Sequence, residues 1–243
     1  MRLHERAHRL LGALRGPAVL VVASVPAECE AIEAGLAAAR PPDAARPPGA
    51  GSADPGPKAY DVVTLDAGVG VANAAAATAA ALAEHAFAAV VNVGIAGGLG
   101  VPVGGLVVGS ASVAADLGAD SPEGFLSLEE LGLGSSTVDC DPDLCGRLTA
   151  LLPDAVRGPI LTVSTVTGTA ERADWLRRRH PTAVAEAMEG FGVATAAARA
   201  GVPFAEIRAV SNAVGPRDRA AWRIGDALTA LQRVGAALAT LRR

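Results

Sequence analysis

The chain has 243 residues, 51% hydrophobic and 19% charged, which suits a globular protein with a sizeable core. A net charge of -4 and a pI near 5.6, with no basic run interleaved with aromatics, argue against nucleic-acid binding. Three cysteines (Cys29, Cys140 and Cys145) form no C-x-x-C pair and read as reduced thiols in a cytoplasmic protein, not as a disulfide frame or zinc site.

The amino terminus, "MRLHERAHRLLGALRGP" (1–17), is basic and amphipathic and reads as an extension preceding the domain, with an added helix. The apolar run after it is short and leads into Glu28 and Glu30, so neither a signal peptide nor a membrane span is expected. His4 and His8 stand four apart there, but without further ligands they do not make a metal site. "AVLVVAS" (18–24) reads as a buried strand and "AECEAIEAGLAAA" (27–39) as a helix. "RPPDAARPPGAGSADPGPK" (40–58) is a Pro/Gly-rich loop within the domain and holds Lys58, the one lysine.

Further on, "YDVVTLDAG" (60–68) predicts a strand, and "GVGVANAAAATAAALAEHA" (68–86) a glycine turn into a helix. "FAAVVNVG" (87–94) predicts a strand, "IAGGLG" (95–100) a glycine loop, and "GGLVVGSASVAAD" (104–116) another strand. Strands are also expected at 158–166, 182–188 and 203–212, and helices at 194–201 and 224–243. Strands alternating with helices predict an α/β fold: one domain over 1–243, a central mixed twisted sheet flanked by helices.

Two glycine stretches invite a ligand. "GVGVAN" (68–73) half-matches a dinucleotide fingerprint, but Asn73 replaces the third glycine and the next strand ends in "VVNVG" without an acid for a ribose hydroxyl. A tight turn explains it better. "NVGIAGGLG" (92–100) is denser, with Gly94, Gly97 and Gly98 near a strand end, where open α/β sheets bind ligands. A third stretch, "AEAMEGFGVA" (185–194), sets Glu189 among apolar residues with no basic neighbour in sequence, although a buried charge needs a partner.

Taken together, "NVGIAGGLG", "AMEGFGVA" (187–194) and "PFAEIRAVSNAVG" (203–215), with "VVASVPAECEAI" (21–32), resemble the purine nucleosidase/phosphorylase superfamily in content and order. The resemblance covers most of the chain outside 40–58. It implies a nucleoside phosphorylase-like fold, a purine nucleoside as small-molecule substrate, no cofactor or metal, and a homo-oligomer. It also implies that the Glu189 carboxylate accepts from both ribose hydroxyls, which would place its partner outside the chain, with Met188 as an apolar floor under the sugar. Free amides at a helix start would support Glu189.

The superfamily's phosphorylases place an arginine and a serine where this chain has Asn92 and Ile95. A phosphate dianion would thus lack two contacts, and water is the expected acceptor. Related methylthioadenosine nucleosidases use a Glu after the first strand as the base that activates water, and Glu28 stands at the matching position. Its alternative is an ordinary acid in a first helical turn. Where adenine-cleaving relatives have Ser-Asp, this chain has Ser211-Asn212. Asn cannot deliver a proton, but its NH₂ can donate to N7 and O6, which favours a 6-oxopurine without excluding adenine.

These features resemble the futalosine hydrolase family, whose members release hypoxanthine from futalosine in a menaquinone route. Methylthioadenosine/S-adenosylhomocysteine nucleosidases, purine phosphorylases and a non-catalytic nucleoside-binding module remain the alternatives. The resemblance places Ile95, Ala96, Gly97, Val166, Thr167 and Ser211 against the substrate. Ala187, where methylthioadenosine nucleosidases have another Glu, is a departure. Arg217, Arg219 and Arg223 read as charges of a solvated loop.

Overall fold

The computed structural model describes residues 17–39 and 59–242. The expected amino-terminal helix and the loop 40–58 lie outside the described residues. The elements in order are β1 (Ala18–Ala23), α1 (Pro26–Ala39), β2 (Asp61–Asp66), α2 (Val71–Glu84), β3 (Phe87–Gly98), β4 (Leu106–Ala114), β5 (Gly118–Ser121), β6 (Gly124–Ser127), β7 (Thr137–Asp139), α3 (Pro142–Leu151), β8 (Val156–Thr162), α4 (Ala170–Arg179), β9 (Ala185–Ala187), α5 (Gly190–Ala200), β10 (Phe204–Ala213) and α6 (Ile224–Thr240). The fold is a single α/β domain built on a mixed sheet.

That sheet runs β10-β4-β8-β9-β3-β1-β2, and β10 also pairs with β3, so the path closes on itself through β3, β10, β4, β8 and β9. The pairs β1–β2, β1–β3, β3–β10, β4–β8 and β8–β9 are parallel; β4–β10, β3–β9 and β4–β7 are antiparallel. Every residue of β1 is buried, as expected of a parallel strand covered on both faces. Helices α1 and α6 pack together on the sheet, as do α2 and α5.

The 12-residue strand β3 positions the site. Its first half pairs with β1 up to the Val22–Asn92 partnership, and its last residues pair with β9 at Gly97–Glu186 and Gly98–Ala185. Along the other edge β10 runs from Val90 to Gly98. On the β1 side, residues 93–96 therefore have no strand neighbour, and a gap opens between the end of β1 and the start of β9. The glycine loop expected at 95–100 is accordingly in large part strand. β10 supplies its hydrogen bonds, and tertiary pairing overrides the local glycine composition.

Other departures have local causes. The strand expected over 182–188 is only three residues, because β9 bridges just β3 and β8. The helix expected over 194–201 already begins at Gly190. Helices α3 and α4 escaped the periodicity reading, although each carries a start signal. Asp141, before Pro142, accepts from the Leu144 amide at 2.8 Å, and Thr169 accepts from the Arg172 amide at 3.2 Å. Cys29, Cys140 and Cys145 are free and buried. Among the described residues no helix is long and apolar enough to cross a membrane.

Candidate active site

The gap beside β3 leads into a cavity of about 220 Å³. Its walls include Glu28, Ile95, Ala96, Gly97, Val166, Met188, Glu189, Ser211 and Asn212, all expected from the sequence. Thr167 lines an adjoining recess of about 60 Å³ that shares Gly97, Val166, Glu186, Asn212 and Trp222 with the main cavity. Elements far apart in sequence (β1–α1, β3, β9–α5 and β10) thus deliver their candidate residues to one place.

Glu28 lies in the first turn of α1 and is 3% exposed. Its Oε1 accepts from the Ile95 amide at 2.8 Å, one of the β3 groups that no strand satisfies. Oε2 accepts from the Ser24 amide at 2.9 Å. Burial pushes the carboxyl above its usual value of 4.5, against the opposing pull of these two amides and of Arg208. Each oxygen keeps acceptor capacity toward the cavity.

Glu189 is the N-cap residue of α5, but its side chain makes no capping bond to that helix. It reaches the start of α2 instead. Oε1 accepts from the Gly70 amide at 3.2 Å, and Oε2 accepts from the Met188 amide at 3.3 Å. Hence the amide at the end of "GVG" serves the protein's own carboxylate. The expectation that α5 amides support Glu189 is corrected here: the supporting helix start is that of α2.

A second correction concerns its counter-ion. Arg208 Nη1 lies 3.4 Å from Glu189 Oε2, so Glu189 has a cationic partner within the chain. Arg208 is fully buried, and its Nε donates to Glu206 Oε1 at 2.9 Å. Burial pulls the Arg208 pKa down, but Glu206, Glu189 and Glu28 together raise it. Glu206, wholly buried, is pushed upward by desolvation in spite of Arg208. One guanidinium thus stands among three carboxylates. Two glycines make room for the cluster. A Cβ on Gly94 would lie 2.7 Å from Arg208 Nη1 and 2.9 Å from Glu28 Oε1, and one on Gly190 would lie 2.3 Å from both Glu206 oxygens.

Asn92, at the position where phosphorylases place arginine, is buried and directs its Nδ2 to Glu206 Oε1 at 3.5 Å. On β10, the Ser211 hydroxyl sits 2.8 Å from Asn212 Oδ1 and 3.3 Å from the Ala96 carbonyl. Asn212 Nδ2 donates to the Ala213 carbonyl at 2.9 Å, which leaves its second hydrogen unused. Val69 and Val166, though apolar, are 49% and 42% exposed, and both face the cavity. Arg217 belongs to the recess, so the solvated-loop reading of that residue is incomplete.

Sequence reasoning missed Glu186, Glu206, Arg208 and Trp222. For two of them a signal exists: "AEIRAV" sets opposite charges two apart in an otherwise apolar strand, on one face. Among the described residues no group of three or more His, Cys, Asp or Glu is arranged to hold a metal ion.

The sequence profile of the phosphorylase superfamily matches residues 51–241. The futalosine hydrolase of Streptomyces coelicolor is 56% identical over 182 residues, covering 72% of this chain and 76% of that protein. That of Acidothermus cellulolyticus is 51% identical over 224 residues, covering 90% and 89%. The chain belongs to the futalosine hydrolase family of the phosphorylase superfamily. Solved structures show the same fold in relatives of low identity. Futalosine hydrolase of Helicobacter pylori superposes with a TM-score of 0.72 at 15% identity, over 91% of this chain and 97% of that one. A methylthioadenosine/S-adenosylhomocysteine nucleosidase of Colwellia psychrerythraea, solved with adenine, superposes with a TM-score of 0.73 at 24% identity, over 94% and 97%. Within the futalosine hydrolase family, the cavity beside β3 is the candidate active site.

Proposed function

We infer that this protein hydrolyses the N-glycosidic bond of futalosine and releases hypoxanthine and dehypoxanthinyl futalosine, a step of menaquinone biosynthesis. The observation that carries the assignment is the meeting of Glu28, Glu189 and Asn212 on one cavity, in a chain 51–56% identical to futalosine hydrolases.

Each residue has a role that its surroundings support. Glu189, held by two amides and Arg208, presents Oε1, whose one bond is to the Gly70 amide, to the vicinal ribose hydroxyls. Glu28, buried and with a raised pKa, takes a proton from water as the water oxygen bonds to C1′. The C1′–N9 bond breaks with positive charge spreading over the sugar, as in glycoside hydrolysis. The electron pair leaves on the purine, where the one free hydrogen of the Asn212 NH₂ is shared between N7 and O6 and stabilises it. The proton held by Glu28 returns to solvent or to the departing base. Met188, Val166, Ile95, Ala96 and Gly97 supply the walls, and Ser211 orients the Asn212 amide. Water rather than phosphate is the acceptor because Asn92 turns to Glu206 and Ile95 offers no hydroxyl. We also place the protein in the cytoplasm as a homo-oligomer.

The test is direct. Purified protein is incubated with futalosine, inosine and methylthioadenosine, with and without phosphate, and base release is followed by chromatography. Hypoxanthine released from futalosine without phosphate is expected. Phosphate-dependent release would overturn hydrolysis, and adenine release without hypoxanthine would overturn the purine assignment.

A further inference from the structure

Glu186 is a buried carboxylate that no part of the mechanism above uses. It is 5% exposed, yet it lines both the main cavity and the recess. Among the described residues no cation forms an ion pair with it; Arg172 and Asp116 are the charges that reach it from a distance. Its acceptors are half used. Oε1 accepts from the Thr167 amide at 2.9 Å, and Oε2 accepts from the Thr167 hydroxyl. A carboxylate oxygen can accept two hydrogen bonds, so each keeps one free. Burying such a group without a counter-ion is costly, and Thr167 offsets only part of that cost.

Its place in the sheet shows what it faces. Glu186 on β9 is the register partner of Gly97 on β3, and Gly97 is in turn the register partner of Asn212 on β10. The three form one row across three strands, with their side chains directed to one face. Gly97 in the middle lines both the cavity and the recess with its neighbours, and the slot between them is floored by Val214, whose Cγ2 would stand 2.7 Å from a Cβ on Gly97, so no side chain fits there. At a strand spacing of about 4.8 Å, the outer two Cα atoms stand roughly 10 Å apart. That span fits a planar purine with a hydrogen bond at each edge.

We propose that Glu186 is a specificity residue that accepts the N1–H of a 6-oxopurine from the side of the slot opposite Asn212. The assignment rests on the nucleosidase reading of the cavity. A 6-oxopurine carries a donor at N1, whereas adenine carries a lone pair there. A carboxylate attracts the first and repels the second. Asn212 cannot make that distinction alone, because N7, which its free N–H can reach, is an acceptor in both bases. Thr167 keeps Glu186 aimed, and its hydroxyl and amide donate only to the carboxylate. The class recognised is a nucleoside of hypoxanthine or guanine, whatever the group at its 5′ carbon.

The experiment compares kcat/KM for inosine, 1-methylinosine and adenosine in the wild type and in Glu186→Gln. Thermal unfolding confirms that the variant is folded. The wild type should prefer inosine over both others by about 10³-fold or more, because a site built around a donor rejects analogues that lack it. Glu186→Gln should lower the inosine value and narrow both ratios at least about tenfold. As a control independent of the variant, calorimetry on the wild type should show hypoxanthine binding far more tightly than 1-methylhypoxanthine. Unchanged ratios in a folded Glu186→Gln, or equal binding of the two bases by the wild type, would overturn the role of Glu186 while leaving futalosine hydrolysis intact. A wild type that releases no base from futalosine or inosine would overturn the nucleosidase reading, and this assignment with it.

Discussion

Arg208 and Glu189 meet 3.4 Å apart beneath the cavity, each buried, with Glu206 on the far side of the same guanidinium. The carboxylate assigned to the sugar is therefore not an isolated charge waiting for ligand. It is fixed from below by a cation and from the side by the Gly70 and Met188 amides, so little reorganisation is needed when ribose arrives. Arg208 also lies beside Glu28 under Gly94, so one buried residue interacts with both of the carboxylates to which roles are proposed.

Removing that cation should be severe. Arg208→Met leaves Glu206 and Glu189 buried without their counter-charge, and a loss of about 3–5 kcal/mol of stability is expected. Adding Glu206→Leu to the same chain should recover part of the loss, because a buried pair replaced on both sides by apolar groups costs far less than a broken one. Urea denaturation of the wild type, the single and the double variant checks this. A double variant no more stable than the single one would contradict the pairing.

Glu189 itself is tested through the sugar. Glu189→Gln exchanges a two-oxygen acceptor for an amide that matches only one hydroxyl, and kcat/KM should fall by roughly 10²–10³-fold, as for other charge-assisted contacts that strengthen in the transition state. The preference for inosine over 2′-deoxyinosine should shrink in the same variant, since the hydroxyl removed from substrate no longer has its partner. Parallel kinetics on the two nucleosides measure both effects.

The pH profile reports Glu28. As a base it must be ionised, and burial holds its pKa above 4.5, so the acidic limb of kcat/KM should lie above the ordinary carboxylate range and activity should rise with pH through it. Glu28→Gln should lose that limb and reduce kcat by about 10²–10⁴-fold, with KM changed far less. The sign for stability is opposite. Below the unfolded value both states are protonated and Glu28 contributes nothing. As pH rises toward the folded value, the unfolded chain ionises first and the folded state loses stability. Over that window, thermal unfolding of Glu28→Gln should be less sensitive to pH than that of the wild type.

Much of the lining of the candidate site was legible in the sequence because its parts are short motifs. Glu28 after the first strand, Met188-Glu189 before a glycine, and Ser211-Asn212 at a strand end together resemble the superfamily, and their expected roles follow from that resemblance, not from any one motif. The supports were not legible, because they depend on register. Arg208 stands beside Gly94 and Glu206 beside Asn92 only once β10 pairs with β3. Glu186 depends on Thr167, 19 residues earlier, and on the pairing of β9 with Gly97 of β3, which an expected strand over 182–188 does not reveal. Residues 95–98 looked like part of a glycine loop for the same reason. Their pairing comes from β10, and the missing side chains of Gly94 and Gly97 serve Arg208, Glu28 and the slot beside Asn212. Helices α3 and α4 were passed over although Asp141 and Thr169 mark their starts, because a cap by itself does not place a helix.

Gly94 is open to a simple test of that last point. Gly94→Ala places a methyl 2.7 Å from Arg208 Nη1 and 2.9 Å from Glu28 Oε1, between two side chains already held by other partners. A loss of about 1–3 kcal/mol is expected from overpacking, together with a fall in kcat as Glu28 is displaced from the Ile95 amide. A variant with wild-type stability and kcat would show that the cluster is softer than its contacts imply.

Asn212 offers the sharpest change of substrate. Its Oδ1 is taken by Ser211, so the end left for the purine is a donor, suited to N7 and O6 of hypoxanthine. Asn212→Asp replaces that donor with a carboxylate that repels O6 but, when protonated, can deliver a proton to N7. Hypoxanthine release from futalosine should fall by about 10²-fold or more, the loss typical of removing one donor from a developing negative charge. Adenine release from adenosine should rise relative to hypoxanthine release from inosine. The gain should be larger at lower pH, where more of the new carboxyl carries its proton, and the inosine rate should stay depressed at every pH. Chromatographic release assays on the four substrate–variant combinations, repeated at two pH values, settle the outcome. An Asn212→Asp enzyme with an unchanged ratio of the two bases would show that Asn212 does not contact the purine edge.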